Sequence, residues 1–358
     1  MSKLTIGKVV AGLDLGDRFS WLCVLDDGGE AIEEARIQTT QGAFQSWFAE
    51  RGPIRVALEV GTHSPWVSRL LAGMGHEVIV ANARHVRMIY GGDRKSDRLD
   101  AEALARLARL DPALLHGIEH RSEEAHHDLA VIRAREVLVR TRTRLINHVR
   151  GAVKSAGHRV PRSSSAAFHR TAAAAIPDPL KTAREPLLAM LEQITQEVRA
   201  YDRRIEELAR ERYPETGALM QIPGVGSITA LAYVLTLEDP GRFASSRAVG
   251  PYLGLCPGER QSGDRDAQCR MTKAGNEMLR RLLIQAAHYQ LGPHGPDSDL
   301  RRWGEERAGR GGRIARKKAV GGVARKLAVL LHRLWTSGEV YEPLRNSSGP
   351  DEATAHAA

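Results

Sequence analysis

The stretch VVAGLDLGD, residues 9–17, decides how the N-terminal third is read. Val9 to Leu13 is a short apolar run of the kind that fills a buried strand, and it ends on a charge, Asp14. Trp21 to Leu25 is a second such run. Asp26-Asp27-Gly28-Gly29 follows it as a hairpin signal, because Asp-Gly and Gly-Gly supply the positive φ angles of tight turns. Ala35 to Thr39 is the returning strand, so three antiparallel strands open the fold.

Working outward, Thr40 caps a helix over Phe44, Trp47 and Phe48 that stops before Gly52-Pro53. Ile54 to Leu58 is a buried strand ending at Glu59. A helix from Pro65, a strand from His76 to Ala81, and helices around 83–90 and 97–110 complete the unit. The order β-β-β-α-β-α-β-α predicts an α/β domain of ribonuclease H type.

That order gives the acidic residues a meaning. Asp14 and Glu59 close two strands, while Asp97 and Asp100 stand three apart on one helix and share a face. In this fold the strand ends and the helix start converge. Crowded carboxylates repel, and a pair of hard divalent cations about 3.5–4 Å apart makes such a cluster tolerable while activating a nucleophile. Singly, each is more simply a helix cap or a solvated residue. Gly12 to Gly16 also resembles the first phosphate loop of sugar-kinase and actin-type ATPases, but those folds need a second copy of the domain, and coiled coil follows here instead.

Composition bounds the partner. In 358 residues, Lys and Arg number 52 against 43 Asp and Glu, with a pI near 9.7. This balance favours a polyanion, with nucleic acid the first candidate. The 42% hydrophobic content suffices for two or three cores. Cys23, Cys256 and Cys269 are odd in number and lack metal-ligand spacing, as expected in a reducing cytoplasm. No apolar run approaches the roughly 20 residues of a membrane span, and the N-terminus lacks a signal-peptide pattern.

The middle of the chain changes in kind. Leu187, Leu191, Ile194, Val198, Tyr201, Ile205 and Leu208 alternate spacings of four and three, the seam of a coiled coil. A helix over 123–156 carries Val131, Leu138 and Leu145 at seven-residue spacing, with Ile146 and Val149 nearby, and is expected to pair with it as a hairpin. Residues 158–186, rich in Ser, Ala, Pro and Arg, read as a flexible connector. Next, Ile222-Pro223-Gly224-Val225-Gly226 precedes an apolar helix from Ser227. This suggests a helix-hairpin-helix, in which Gly224 and Gly226 let backbone N–H groups approach a phosphate, although the same pattern also serves ordinary helix connections.

Ser262, in Arg260-Gln261-Ser262-Gly263, reads by itself as a turn serine. A nucleophilic role would draw on Arg260, Arg265, Arg270 and Lys273 to stabilise a charged phosphoryl transition state. Residues 301–326 hold ten Arg or Lys against two Glu. Arg316, Lys317 and Lys318 there suit contacts to a nucleic-acid backbone.

Taken in order, these motifs resemble the DEDD-type transposases of bacterial insertion sequences, founded on insertion sequence 110, which include pilin-gene invertases and bridge-RNA-guided recombinases. The resemblance rests on Gly12-Leu13-Asp14, Leu58 to Thr62, Lys95 to Ala101, Ile222 to Gly226, Gly254 to Pro257, Gln261-Ser262-Gly263, and Met271 to Asn276 through Leu279-Arg280-Arg281. It implies a RuvC-like domain whose Asp14, Glu59, Asp97 and Asp100 bind Mg2+ or Mn2+, and a serine domain whose Ser262 forms a covalent link to DNA. It also implies donor and target DNA, a guide RNA, and a dimer or tetramer with composite sites. Arg280 and Arg281 join the nucleic-acid contacts. Thr272 stands where the family often has serine, and Val60 where it often has alanine.

The expected organisation is a RuvC-like domain over 1–115, coiled coil over 116–215, an all-α serine domain with the helix-hairpin-helix over 216–340, and a disordered tail over 341–358. Two other classes compete: a structure-selective RuvC-like nuclease without a covalent intermediate, and a non-catalytic helix-hairpin-helix DNA-binding protein.

Overall fold

The computed structural model describes residues 9–82, 96–258, 261–262, 265–266 and 269–346, and the chain divides into two compact units at Arg121/Ser122. The helix expected around 83–90 lies outside the described residues.

The first unit is built on a five-stranded sheet of order β3-β2-β1-β4-β5, comprising β1 Val10–Asp14, β2 Phe19–Leu25, β3 Ala31–Gln38, β4 Arg55–Glu59 and β5 Glu77–Ala81. The first three strands are antiparallel, and β1, β4 and β5 are parallel. This is the ribonuclease H-like arrangement that the sequence order predicts. Helices α1 Gln41–Ala49, α2 Ser64–Gly73 and α3 Asp97–Leu110 cover it. Thr40 caps α1, its hydroxyl accepting from Ala43 N–H at 3.3 Å.

Both faces of the central strands are buried, which is why they read as continuous apolar runs. Ala11, Leu13, Val56 and Leu58 pack with Phe44, Phe48, Val67 and Leu71 on one face. Val10, Ala57 and Ala81 pack with Leu104, Leu107 and Ala108 on the other. The edge strand β3 begins at Ala31, earlier than its apolar residues suggest. Its charged residues, half-buried Glu33 and exposed Glu34 and Arg36, disfavour pairing of the edge with another chain.

Among its described residues the second unit is helical apart from one small hairpin. Helices α4 Glu123–Ser155 and α6 Asp178–Glu211 pack together as a long pair. Leu191, Ile194, Val198 and Ile205 are buried as the α6 spacing predicts. On α4 the seam differs from the expected one. Ala125, Leu129, Ile132, Ile146, Val149 and Val153 are buried, not Val131, Leu138 and Leu145. The reason is that Arg135 and Arg142 occupy the seam between Ile132 and Ile146, so its apolar period is broken. Arg135 pairs there with Asp202. Burial and the adjacent charges of Arg135 and Arg199 hold the Arg142 guanidinium below its usual range.

Residues 158–186 are not the connector that their composition suggests. They contain helix α5, Phe168–Ala175, and the start of α6. Phe168, Ala172 and Ile176 join Ile146, Val149, Val153 and Leu191 in a separate small core. A few well-placed apolar residues suffice because the two long helices already supply the other walls.

The main core surrounds α7, Ser227–Leu237, which is buried on every side from Thr229 onward. Against it pack the end of the long pair, α8 Glu277–Gln290 and α10 Gly312–Ser337. Tyr233 Oη donates to Ala328 O at 2.6 Å, satisfying the one polar group of a fully buried ring. Helix α9, Asp299–Gly309, lies along α10. The start of the expected disordered tail is also ordered. Tyr341 N–H donates to Gln221 Oε1 at 2.9 Å, and Asp299 N–H to Pro343 O at 2.8 Å. Among the described residues no helix is long and apolar enough to cross a membrane.

Candidate active site

Parallel pairing of Gly12 with Ala57 and of Leu13 with Leu58 sets Asp14 and Glu59 side by side at the carboxyl ends of β1 and β4. Alternate residues share a face, so both lie on the face of Gly12 and Ala57, which α3 covers. Gly12 permits an unusually close approach. A Cβ built there would stand 1.9 Å from Ala101 O and 2.5 Å from Ala105 N. The backbone of α3 therefore rests directly on β1, and its first turn, with Asp97 and Asp100, starts beside the two strand ends. Arg98 pairs with Glu34 of β3 at 2.7 Å and ties that turn to the sheet.

Asp14, Glu59 and Asp100 are half-buried and Asp97 is exposed. Two carboxylates in the first turn also suit the positive end of the helix dipole, which is their structural role irrespective of any ligand. Carboxylate oxygens are hard donors that fit magnesium or manganese. The side chains are not closed into a cage, because among the described residues no three of His, Cys, Asp or Glu are grouped to hold a metal.

Ser262 lies in the second unit, on a hairpin formed by β6 Gln261–Ser262 and β7 Arg265–Asp266, where it pairs with Arg265. Lower rungs hold the hairpin legs together. Gly258 N–H donates to Arg270 O and Thr272 N–H to Cys256 O, both at 2.9 Å. At the base two left-handed glycines cross: a Cβ on Gly254 would stand 2.2 Å from Ala274 O, and one on Gly275 2.1 Å from Tyr252 O. Arg280 fastens both legs by donating from Nη1 to Leu253 O at 3.1 Å and to Ala274 O at 2.8 Å. Asn276 Oδ1 caps α8 by accepting from Leu279 N–H.

Much of the motif from Gly254 to Arg280 is thus the scaffold of the serine hairpin, a function the sequence reading missed. The crossed glycines were its only signal. Arg260 lies outside the described residues. Arg270 and Lys273 are exposed on the hairpin leg, while Arg281 pairs with Glu136 at 2.6 Å.

Gly224, at φ +84°, makes the turn before α7, where any Cβ would meet the Tyr289 ring at 2.8 Å. Gly226 precedes the helix without a capping side chain. Gly224, Gly226 and Ser227 line, with Arg135, a cleft of ≈ 310 Å³. A single helical turn, Thr216–Leu219, stands before this loop. In the basic stretch 301–326 several cations are engaged within the fold: Arg301 with the carbonyls of Gln290 and Gly292, Arg302 with Asp297, and Arg307 and Lys326 over the Trp303 ring. Arg316, Lys317 and Lys318 are exposed on α10.

The model of the DEDD transposases of insertion sequence 110 matches residues 11–157, and that of the transposase IS116/IS110/IS902 family matches residues 217–299. The transposase for insertion sequence element IS1328 of Yersinia enterocolitica is 30% identical over 78% of this chain and 83% of its own length. That for IS1111A of Coxiella burnetii is 27% identical over 79% and 78%. The RuvC structure of Thermus thermophilus aligns at 19% identity over 28% of this chain and 96% of that one, with a TM-score of 0.22. With carboxylates at the ends of a ribonuclease H-like sheet, a helical unit bearing the second matched block, and relatives that match across most of their length, the chain belongs to the IS116/IS110/IS902 family of DEDD transposases, enzymes of phosphoryl transfer on DNA.

Proposed function

We propose that this transposase cuts and rejoins DNA with Asp14, Glu59, Asp97 and Asp100 holding magnesium or manganese and with Ser262 as the nucleophile. The observation that carries the carboxylate part is the seat of Ala101 on Gly12, which puts a helix start bearing two acidic residues against strand ends bearing two more. Bound divalent cations supply charge neutralisation at the phosphodiester. Asp14 and Glu59 contribute from rigid strand ends, and Asp97 and Asp100 from adjoining positions on one helix face.

In the first step Ser262 Oγ attacks phosphorus. An Oγ–P bond forms, the bond from phosphorus to the leaving deoxyribose oxygen breaks, that oxygen takes up a proton, and the serine proton passes to solvent. In the second, a hydroxyl of another strand attacks the same phosphorus and releases the serine, so ester bonds are exchanged and no water is consumed. Arg260, Arg270 and Lys273 offset the phosphoryl charge. The N–H groups after Gly224 and Gly226 take a backbone phosphate in the manner of a helix-hairpin-helix, and Arg281, Arg316, Lys317 and Lys318 take others. An element-encoded RNA pairs with donor and target DNA, and copies of the chain assemble as a dimer or tetramer.

Denaturing electrophoresis of the full chain with labelled DNA and copurified RNA tests this reading. The expected result is a protein-linked label that disappears in Ser262→Ala. Cleavage without linked label, equal in Ser262→Ala, would replace the serine mechanism with hydrolysis by a RuvC-like nuclease.

A further inference from the structure

Between Glu136 and Asp178 the chain runs 41 residues with eight Lys or Arg and no Asp or Glu. This segment is folded. The end of α4, helix α5 and the start of α6 share the small core of Ile146, Val149, Val153, Phe168, Ala172, Ile176 and Leu191. From Ile132, the last α4 residue of the main core, to Ile146, the first of the small one, is 14 residues, about 21 Å of helix. The second core therefore forms a distinct basic end to the helical pair.

Its cations are mostly uncompensated. Arg140 pairs with Glu136, and Arg150 lies over the Phe168 ring. Arg144, Lys154, Arg159, Arg162 and Arg170 are exposed, and among the described residues no carboxylate pairs with them. The start of α6 adds Glu185, Asp178, which pairs with Lys181, and Glu192, which faces His169, but cations still outnumber carboxylates on this body, and such an excess repels itself unless a polyanion is its partner. Among the described residues, Ser163 Oγ, His169 Nδ1 and Arg184 Nε are also buried there without hydrogen-bond partners.

We infer that this basic end, built from residues other than the carboxylates and the serine hairpin, is a docking surface for the phosphate backbone of duplex DNA. DNA is chosen because it is the substrate class of the family. The five unpaired cations offer sequence-independent contacts to successive phosphates.

The test uses the full chain and a duplex of arbitrary sequence, with single-stranded RNA of the same sequence as a second probe, in fluorescence anisotropy across a salt series. Neutralising Arg144, Lys154, Arg159, Arg162 and Arg170 to Gln is expected to weaken duplex binding on the order of 100-fold at physiological salt and to lower the log–log salt slope by about 4.5, near 0.9 for each phosphate contact. A matched control, with Arg18, Arg133, Arg203, Arg204 and Arg247 changed to Gln, is expected to alter the slope by less than about one. Should the fivefold variant fold poorly, Arg159→Gln with Arg162→Gln, both in the loop between α4 and α5, is expected to lower the slope by about two. Duplex binding within twofold of the wild type, an equal loss in the control, or a loss confined to the RNA probe would each overturn the assignment.

Discussion

Gly12 and Ala101 are in backbone contact: a Cβ added to Gly12 would stand 1.9 Å from the Ala101 carbonyl oxygen. Neither the strand nor the helix can yield without moving the other, since both are buried. Gly12→Ala is therefore expected to destabilise the first unit by about 3 kcal/mol and to push the turn of Asp97 and Asp100 away from Asp14. Urea unfolding reads the first effect and DNA strand cleavage the second. A stable, fully active variant would show that the close seat is unnecessary.

Asp14→Asn and Asp97→Asn remove a charge each without opening a cavity. Strand cleavage with magnesium is expected to be lost in both, while circular dichroism and DNA binding stay near those of the wild type. Full activity in either variant would sink the proposed metal role.

Arg280→Met tests the base of the serine hairpin. The carbonyls of Leu253 and Ala274 lose their shared donor, so the legs loosen. Formation of the proposed Ser262–DNA adduct is expected to slow by at least about tenfold, with duplex affinity changed less than threefold, on the order of 0.6 kcal/mol. If Arg280 instead contacts phosphate, affinity and salt slope fall together.

Tyr213 Oη donates to Asp128 Oδ2 at 2.7 Å, and burial together with the Asp128 charge pushes the phenol up to about 12. Because its pKa in the folded chain lies above the unfolded value, its stabilisation is complete below about pH 10 and is lost as pH rises toward 12. Wild type should lose stability across that window relative to Tyr213→Phe. Urea midpoints measured from pH 9 to 12 give the comparison, and parallel curves would contradict it.

Leu191 and Val198 are buried within one chain against α4. Leu191→Glu with Val198→Glu is expected to cost several kcal/mol by burying charge and to melt the long pair, seen as lost ellipticity. Light scattering then shows whether assembly depends on that pair. Retained helicity with reduced mass would mean instead that the seam faces another copy.

The local sequence determined the strands, their order and the positions of the acidic residues, because alternation, turn chemistry and helix caps act over a few residues. VVAGLDLGD ends on Asp14, Asp26 to Gly29 turns, and Thr40 caps. The α6 seam was legible for the same reason, since an unbroken apolar period marks one face. Tertiary structure alone decided the rest. Gly12 reads as one glycine of a loop-like Gly12 to Gly16 pattern until Ala101 is seen upon it, and Gly254 and Gly275 matter only where they cross. Arg280 reads as a phosphate contact because a guanidinium is indifferent to whether its acceptor is a phosphate or a carbonyl. The α4 seam was misplaced because arginines interrupt its period, and Phe168 to Ile176 looked too polar for a core until the long helices supplied two of its walls. Such contacts join residues tens of positions apart, and no short-range pattern encodes them.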